Sequence, residues 1–371
     1  MNIGIDGNEA NIKTRVGVGQ YAYNLLLELE RQNQDDVFYI FLKNPPLENM
    51  PPESKKWHYL VFGPKFLWTK IALPLRLIFF INKIDVFFSP SHYSPFFSAI
   101  PTVPTIHDIG YLKYQDQFTK KDLYQLINWT EASIKHATHI IAVSQFTKNE
   151  LINTYQIPSD KISIIYNGVA KPPKSSLDFE KKVLAKFKIT KPYFLAVGTL
   201  KPNKNYPFLI KAFSVFLKKF PSHQLVIAGK KGWLFEEINT IIKKLNLSSQ
   251  VIFTDYIDDN ERWPLYKNAI SLVIPSTYEG FGIPAIESQK MKTPVIASEI
   301  PSLKEVLADS ALYINPEKSK TLVSAFEKML DNTFRQKLIK KSEIQSQKFT
   351  WENSAKNLIL QFHQKFGSKN V

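Results

Sequence analysis

The sequence predicts an α/β architecture of two parallel sheets, each covered by helices. Three observations lead there. Short apolar runs alternate with helical patterns along nearly all of the 371 residues. The runs are apolar at consecutive positions, as in strands buried on both faces, and do not alternate with polar residues. A polar segment with two prolines, Ala170-Lys171-Pro172-Pro173-Lys174-Ser175-Ser176, divides the chain near its middle. It follows the turn signal Asn167-Gly168.

The first sheet draws on strands predicted at residues 2–5, 37–42, 57–62, 86–89, 102–106, 139–143 and 162–165, with helical patterns at 18–31 and 121–136. The second draws on 193–197, 224–228, 251–253, 270–274, 295–297 and 311–314, with helical patterns at 206–220 and 235–245. Two sheets fit better than one, since chains divide at roughly 100–200 residues per domain. Beyond Lys318 the pattern is helical. Its last stretch starts at Trp351 and sets Ala355, Leu358, Ile359 and Phe362 on one face, the spacing of an amphipathic helix.

Hydrophobic residues at 44% and charged residues at 22% exclude a disordered or collagen-like chain. The absence of cysteine excludes a disulfide framework, a thiolate metal site and a cysteine nucleophile. It also suits a reducing, cytoplasmic compartment. The opening Met1-Asn2-Ile3-Gly4-Ile5-Asp6 has no basic flank and does not read as a signal peptide. The most apolar window, 66–88, is broken by Lys70, Arg76, Lys83 and Asp85. A spanning helix needs about 20 nearly uncharged residues, so none is predicted. Net charge is +15. Residues 1–172 hold 17 basic and 15 acidic side chains, the remainder 31 and 18, so the excess belongs to the C-terminal half. It marks either an anion-binding face or a lysine-rich solvated surface. The pairs Lys218-Lys219, Lys230-Lys231 and Lys243-Lys244 lack interleaved aromatic platforms, which argues against nucleic acid as a partner.

Four segments carry candidate chemistry. In Pro275-Ser276-Thr277-Tyr278-Glu279-Gly280-Phe281-Gly282-Ile283-Pro284-Ala285-Ile286-Glu287, a glycine turn joins a strand to a helix. The glycines admit a ligand to the backbone, and Pro284 suits a first helical turn. The amides of Phe281, Gly282 and Ile283 converge at the positive end of the helix dipole, which makes an anion site. Glu279 and Glu287 flank it and suit hydroxyl groups on either side. The alternative is an ordinary turn with two surface glutamates. In Gly198-Thr199-Leu200-Lys201-Pro202-Asn203-Lys204-Asn205, Lys204 stands near a helix start, where a cation is disfavoured. A bound diphosphate would explain it, and a simple exposed lysine is the alternative.

Arg15-Val16-Gly17-Val18-Gly19-Gln20-Tyr21-Ala22 matches the letters of a dinucleotide fingerprint. Yet it lies about ten residues past its strand, and the fingerprint needs its glycines directly after one. It reads as a glycine loop facing a ligand. In Thr105-Ile106-His107-Asp108, His107 ends an apolar strand, where ligands of α/β sheets gather. A structural histidine held by Asp108 is the alternative. Asp258-Asp259-Asn260-Glu261 reads as a helix start. The sequence has no D-x-D, P-loop, H-E-x-x-H or G-x-S-x-G motif.

The ordered set of Gly17-Val18-Gly19-Gln20-Tyr21, His107-Asp108, Asn167-Gly168-Val169, Gly198 to Asn205, and Glu279 to Glu287 resembles the retaining glycosyltransferases of family 4 (group 1). That family has the GT-B fold, two Rossmann-like domains facing each other across a cleft. The resemblance covers essentially the whole chain. Within the family it looks most like bacterial mannosyl- and rhamnosyltransferases of surface polysaccharide assembly.

The resemblance implies an acceptor domain over 1–172, to which 352–371 crosses back, and a nucleotide-sugar domain over 173–351. It implies that Lys204 and the backbone of Gly198, Thr199, Phe281, Gly282 and Ile283 meet the donor diphosphate. Glu287 would take the ribose, Glu279 the donor sugar, and Tyr256 and Ile257 the base. His107 would face the transferred sugar, and Gly17 and Gly19 would approach the diphosphate. His107, Glu279 and Lys204 are thus the catalytic candidates. Many members carry arginine where Thr199 or Asn203 stands here, which leaves the phosphates to Lys204, helped by Lys201.

No cofactor and no metal is implied, and the nucleotide-sugar is a substrate. The implied reaction moves a hexose, first reading mannose from GDP-mannose, to a glycan or lipid-linked acceptor. Rhamnose or glucose from a dTDP- or UDP-sugar is the alternative. The enzyme would be cytoplasmic. Separately from the resemblance, if the acceptor is lipid-linked, the aromatic, basic stretch 65–83 around Trp68 and Lys70 is the place for peripheral contact with the inner, anionic membrane face, although the near-neutral N-terminal half argues against a strong electrostatic anchor there. Two readings of other classes remain: an NAD-dependent oxidoreductase, and a non-catalytic basic protein binding nucleotides or other anions.

Overall fold

A computed structural model describes residues 1–32, 35–230 and 235–367. Lys231 of the second lysine pair, and residues 368–371 of the terminal segment, lie outside the described residues. The chain forms two compact units, 1–168 with 349–371, and 169–348.

The first unit contains β1 (Asn2–Asp6), β2 (Val37–Leu42), β3 (Trp57–Val61), β4 (Val86–Ser89), β5 (Thr102–Ile106), β6 (Ile140–Ala142) and β7 (Ile162–Ile164). They make one parallel sheet in the order β3-β2-β1-β4-β5-β6-β7. Helices α1 (Val18–Gln32), α2 (Leu73–Ile78), α3 (Lys120–His136) and α4 (Gln145–Tyr155) lie between the strands. Pro104 stands inside β5, where a missing N–H is a liability. The strand pairs with β4 through Thr102 to Pro104, and with β6 through Thr105 and Ile106. The ladder therefore changes partner at the proline.

Besides the cluster of Ile106, Ile134, Ile140 and Leu151 around β5 and β6, two further cores lie against this sheet. Ile3, Ile5, Leu25, Leu26, Phe38 and Phe88 belong to one. Phe41, Phe87, Leu73, Leu77 and Trp68 belong to the other. Trp68 opens a π-turn, Trp68–Ala72, ahead of α2, and its ring lies 4.3 Å from that of Phe62. The expectation that Trp68 contributes to a membrane-facing stretch is thereby corrected. The π-turn rotates it inward, where a large aromatic side chain removes the most apolar surface from water.

The second unit contains α5 (Leu177–Lys186), β8 (Tyr193–Val197), α6 (Tyr206–Leu217), β9 (Gln224–Ala228), α7 (Phe235–Lys244), β10 (Val251–Asp255) and α8 (Asp259–Lys267). It continues with β11 (Ser271–Ile274), α9 (Ile283–Lys290), β12 (Val295–Ser298), α10 (Pro301–Leu307), β13 (Leu312–Ile314), α11 (Ser319–Lys328) and α12 (Asn332–Ser346). Its parallel sheet has the order β10-β9-β8-β11-β12-β13. Phe194, Phe213, Phe216 and Phe326 share its core, with the rings of Phe194 and Phe326 4.5 Å apart. Each such burial contributes about 1.5–3 kcal/mol. At the start of this unit Ser175 Oγ donates to Glu180 at 2.6 Å, and Lys290 Nζ donates to the Val169 carbonyl at 3.0 Å.

The last helix, α13 (Trp351–Phe366), packs in the first unit. Trp351, Ala355, Leu358 and Phe362 are buried there, with Ile359 partly buried beside them. Ser354 Oγ donates to the Tyr166 carbonyl at 2.7 Å. Among the described residues, no helix is long and apolar enough to cross a membrane.

Gly168 meets the start of α13 with no room for a side chain. A Cβ there would lie 2.1 Å from Trp351 N and 2.5 Å from Thr350 C. Both are backbone atoms that cannot swing away. Gly168→Ala is expected to cost about 3 kcal/mol, read as a lower melting temperature. A variant that melts with the wild type would show that α13 can shift freely.

Candidate functional site

In the second unit, the chain runs from β8 to β9 and β10, then returns to lay β11 on the other side of β8. Ligands of open parallel sheets bind at such a reversal, outside the carboxyl ends of the strands. The loops after β8 and β11 are tied together at this point. Thr277 N donates to the Asn203 carbonyl at 2.9 Å, and Asn203 Nδ2 donates to the Tyr278 carbonyl at 3.1 Å. Asn203 Oδ1 has no partner among the described residues.

Lys204 ends a 3₁₀ turn, Pro202–Lys204, ahead of α6. Its ammonium donates to Glu279 Oε1 at 2.6 Å, and both side chains are largely buried. Ser276 Oγ donates to the same oxygen at 2.6 Å. Glu279 Oε2 therefore carries neither of these bonds. A lysine ammonium has three N–H donors, and Glu279 takes one. The cation expected to need a diphosphate at a helix start already has a carboxylate partner. Glu279 and Lys204 arrive as a preset pair.

Backbone approaches are close around the pair. Gly198 N donates to the Ala228 carbonyl at 2.9 Å, and Gly229 N to the Asp255 carbonyl at 3.0 Å. The Gly198 carbonyl accepts from Tyr206 OH at 2.9 Å. A Cβ on Gly229 would lie 2.1 Å from the Gly198 carbonyl oxygen. Thr199 follows on this loop. Gly282 caps α9 with φ 92°, a left-handed conformation suited to glycine, and a Cβ there would strike Leu303 at 2.6 Å. Ile283 is the first residue of α9 and Pro284 the second. Phe281 is buried. Tyr256 and Ile257 leave β10 at the same end of the sheet, with Lys230 Nζ 5.2 Å from the Tyr256 ring.

Glu287 is not a surface glutamate. It lies buried in the second turn of α9. Oε1 faces Arg262 Nη1 at 3.3 Å, and Oε2 accepts from Tyr266 OH at 2.8 Å. Burial raises its pKa above the ordinary carboxylate range, while the Arg262 guanidinium and the Tyr266 hydroxyl pull it back down. Arg262 also pairs with Asp259 at 3.4 Å and lies 4.9 Å from the Trp263 ring. Its buried Nε has no partner among the described residues. Arg262, Tyr266 and Ser276 were missed by sequence reasoning. The first two act on Glu287 from another helix, and no local spacing announces that. Ser276 stands three residues before Glu279, and that proximity was a usable signal.

The first unit has its own reversal at β1, between β2 and β4. His107 leaves β5 half-buried, its ring stacked 5.7 Å from His92 and edge-on to Tyr21 at 4.6 Å. Its Nε2 lies 3.2 Å from the Pro90 carbonyl, so Nε2 carries the proton. The backbone N–H of His107 donates to His92 Nε2 at 3.3 Å. Burial pushes His107 down to about 4, with His92 adding to the effect, so the ring is neutral at pH 7. Asp108 Oδ1 accepts from Gly110 N at 2.9 Å, and the Asp108 charge partly offsets the downward shift of His107. Gly17 precedes α1 with φ 47° and nothing within 4 Å of a Cβ. Gly19 is packed, and its Cβ would meet the Glu9 carbonyl at 3.1 Å. The structure thus gathers the candidates on 198–204 and 279–283 at one sheet edge, with Glu287 a turn further into α9. Gly17, Gly19 and His107 belong to the other unit.

The chain matches the family model for glycosyl transferases group 1 over residues 178–345, and that for glycosyltransferase family 4 over residues 16–170. It is 36% identical over 223 residues to the O-antigen chain mannosyltransferase RfbU of Salmonella typhimurium. That match covers 60% of this chain and 59% of the relative, less than two thirds of the relative's length. It is 25% identical over 285 residues to the O-antigen chain mannosyltransferase B of Escherichia coli, covering 75% and 74%.

Among solved structures, sucrose-phosphate synthase of Thermosynechococcus elongatus aligns with a TM-score of 0.74 at 20% identity, over 99% of both chains. Anabaena HepE in complex with UDP-glucose aligns with a TM-score of 0.75 at 17% identity, over 98% of this chain and 100% of that one. These two likenesses bear on the fold, which is GT-B.

Arg262→Met leaves the buried Glu287 without its cation. Removing one partner of such a pair costs about 3 kcal/mol. The Glu287 pKa, already raised, climbs further in the variant, so its folded state binds a proton that the unfolded chain has released. Stability then falls as pH rises above the ordinary carboxylate range. The deficit against wild type in urea unfolding is expected to be larger at pH 8 than at pH 5. Equal deficits would mean that Glu287 does not depend on Arg262.

Proposed function

Because the chain belongs to the glycosyltransferases of group 1 and family 4, we propose that it transfers a hexose from a nucleotide-sugar to a glycan or lipid-linked acceptor, mannose from GDP-mannose being the first reading. The mannose reading draws on the two O-antigen mannosyltransferases it is similar to. The observation that carries the donor site is the Lys204–Glu279 pair, set by Ser276 beside the start of α9.

The reaction breaks the bond between the anomeric carbon and the diphosphate oxygen, joins that carbon to an acceptor hydroxyl oxygen, and passes the hydroxyl proton to the departing phosphate. Negative charge grows on the leaving group and positive charge on the sugar ring. Lys204 has two N–H donors beyond the one given to Glu279, and these suit phosphate oxygens. The first amides of α9 add the positive end of the helix dipole. Both sources are fixed before the reaction, so little reorganisation accompanies charge development. Glu279 Oε2 accepts a donor-sugar hydroxyl, and Glu287, held from two sides, accepts from the ribose. Tyr256 and Ile257 line the base. In the other unit, neutral His107 offers Nδ1 as an acceptor to the transferred sugar. The leaving group is stabilised without a metal, and configuration is retained by departure and attack on the same face.

Three measurements test this. A thermal-shift screen of nucleoside diphosphates should give its largest rise with GDP, since binding the native state raises apparent stability. Transfer from GDP-mannose should persist in excess EDTA and yield a product with the donor's anomeric configuration. Lys204→Ala should lower kcat by roughly 10²–10³, by analogy with removing one fixed donor to a developing charge. Full transfer by Lys204→Ala, or an inverted product, would overturn the mechanism.

A further inference from the structure

We propose that the outer face of α2, with the turn before it, docks on an anionic membrane surface. Of the 19 large apolar side chains exposed among the described residues, seven fall between 61 and 81. The π-turn and α2 give one stripe to the core, where Trp68, Ala72, Leu73 and Leu77 are buried. The opposite stripe is apolar as well. Ile71, Leu75, Ile78 and Phe79 are exposed and recur at the spacing of one helical face. Phe66 and Phe79 stand furthest out, at 77% and 73% exposed. Phe96 extends the patch, because its N–H donates to the Thr69 carbonyl at 2.9 Å. A surface helix ordinarily turns polar residues to water, and a contiguous apolar patch marks an interaction site.

Charge selects the occupant. No Asp or Glu occurs between Glu53 and Asp85, while six lysines and arginines do. Lys65, Arg76 and Lys83 are exposed. The Arg76 guanidinium lies 5.5 Å from the Phe62 ring, and Lys83 Nζ lies 5.8 Å from the Phe80 ring. Long stems thus cover apolar rings and carry their charge to the rim, as snorkelling side chains do. An apolar helical face rimmed by cations fits the boundary between acyl chains and anionic headgroups. A second copy of the chain fits worse, because a two-fold contact sets the same patch against itself and the basic rim with it. The near-neutral balance of residues 1–172 conceals this local excess.

Flotation of the full chain tests the proposal, with equimolar phosphatidylglycerol and phosphatidylethanolamine vesicles compared against phosphatidylcholine. The wild type is expected to float with the anionic vesicles only, and to be released by salt. Leu75→Glu with Phe79→Glu, and separately Arg76→Glu with Lys83→Glu, should each lower partitioning roughly tenfold or more. Both pairs are exposed, so melting should be unchanged. Should the first pair melt low, Ile71→Ser with Ile78→Ser must lose flotation in its place. A wild type that ignores anionic vesicles, or variants that float like it, overturns the proposal. So does a dimer that these variants dissociate, which would assign the face to a second copy. Flotation reads lipid binding alone, so its outcome is separable from that of the transfer reaction.

Discussion

In the second unit, β8 has β9 on one side and β11 on the other, although β11 follows it by more than seventy residues. The loops leaving β8 and β11 must therefore part from adjacent strands at the same sheet edge. Three hydrogen bonds between Asn203 and residues 277–278 lock them side by side. That constraint brings Lys204 and Glu279 within 2.6 Å of each other. A lysine on a free loop would sample many rotamers. Here its position is fixed by the sheet, through two short connections.

The pairing also shapes the electrostatics. An isolated ammonium at the start of α6 would face the positive end of a helix dipole. Glu279 offsets that repulsion, and Ser276 holds the carboxylate in register. Glu287 shows the same device one turn into α9, where Arg262 and Tyr266 reach opposite oxygens of a buried carboxylate. Two glutamates eight residues apart thus sit in different settings. Glu279 has an oxygen outside the bonds from Lys204 and Ser276, whereas each oxygen of Glu287 has a partner.

Much of the fold was legible because its signals are local. Strands such as β8 and β9 are continuous apolar runs, and a parallel sheet covered by helices demands that pattern. The turn at 280–284 was legible for the same reason, since glycine and proline state their backbone requirements in place. What escaped depends on distant partners. Arg262 reads as one more charged residue on a short helix until α8 and α9 are seen to carry it to Glu287. Trp68 read as an exposed aromatic beside Lys70. Only the π-turn, which no residue pattern announced, shows that it points into the core while its neighbour Ile71 points out. The letters around Gly17 and Gly19 look alike, yet one glycine is open and the other is held against the Glu9 carbonyl.

The position of α13 has a consequence for the order of assembly. Trp351, Leu358 and Phe362 fill the core of the unit that begins at Met1, so that core stays incomplete until residues 349–366 leave the ribosome. Residues 169–348 need no such late arrival. During synthesis, the half made second can close first, and the half made first must wait with apolar surface uncovered. Domains usually fold in the order they emerge. Here the topology permits the opposite order, because the first core is completed only by the last helix.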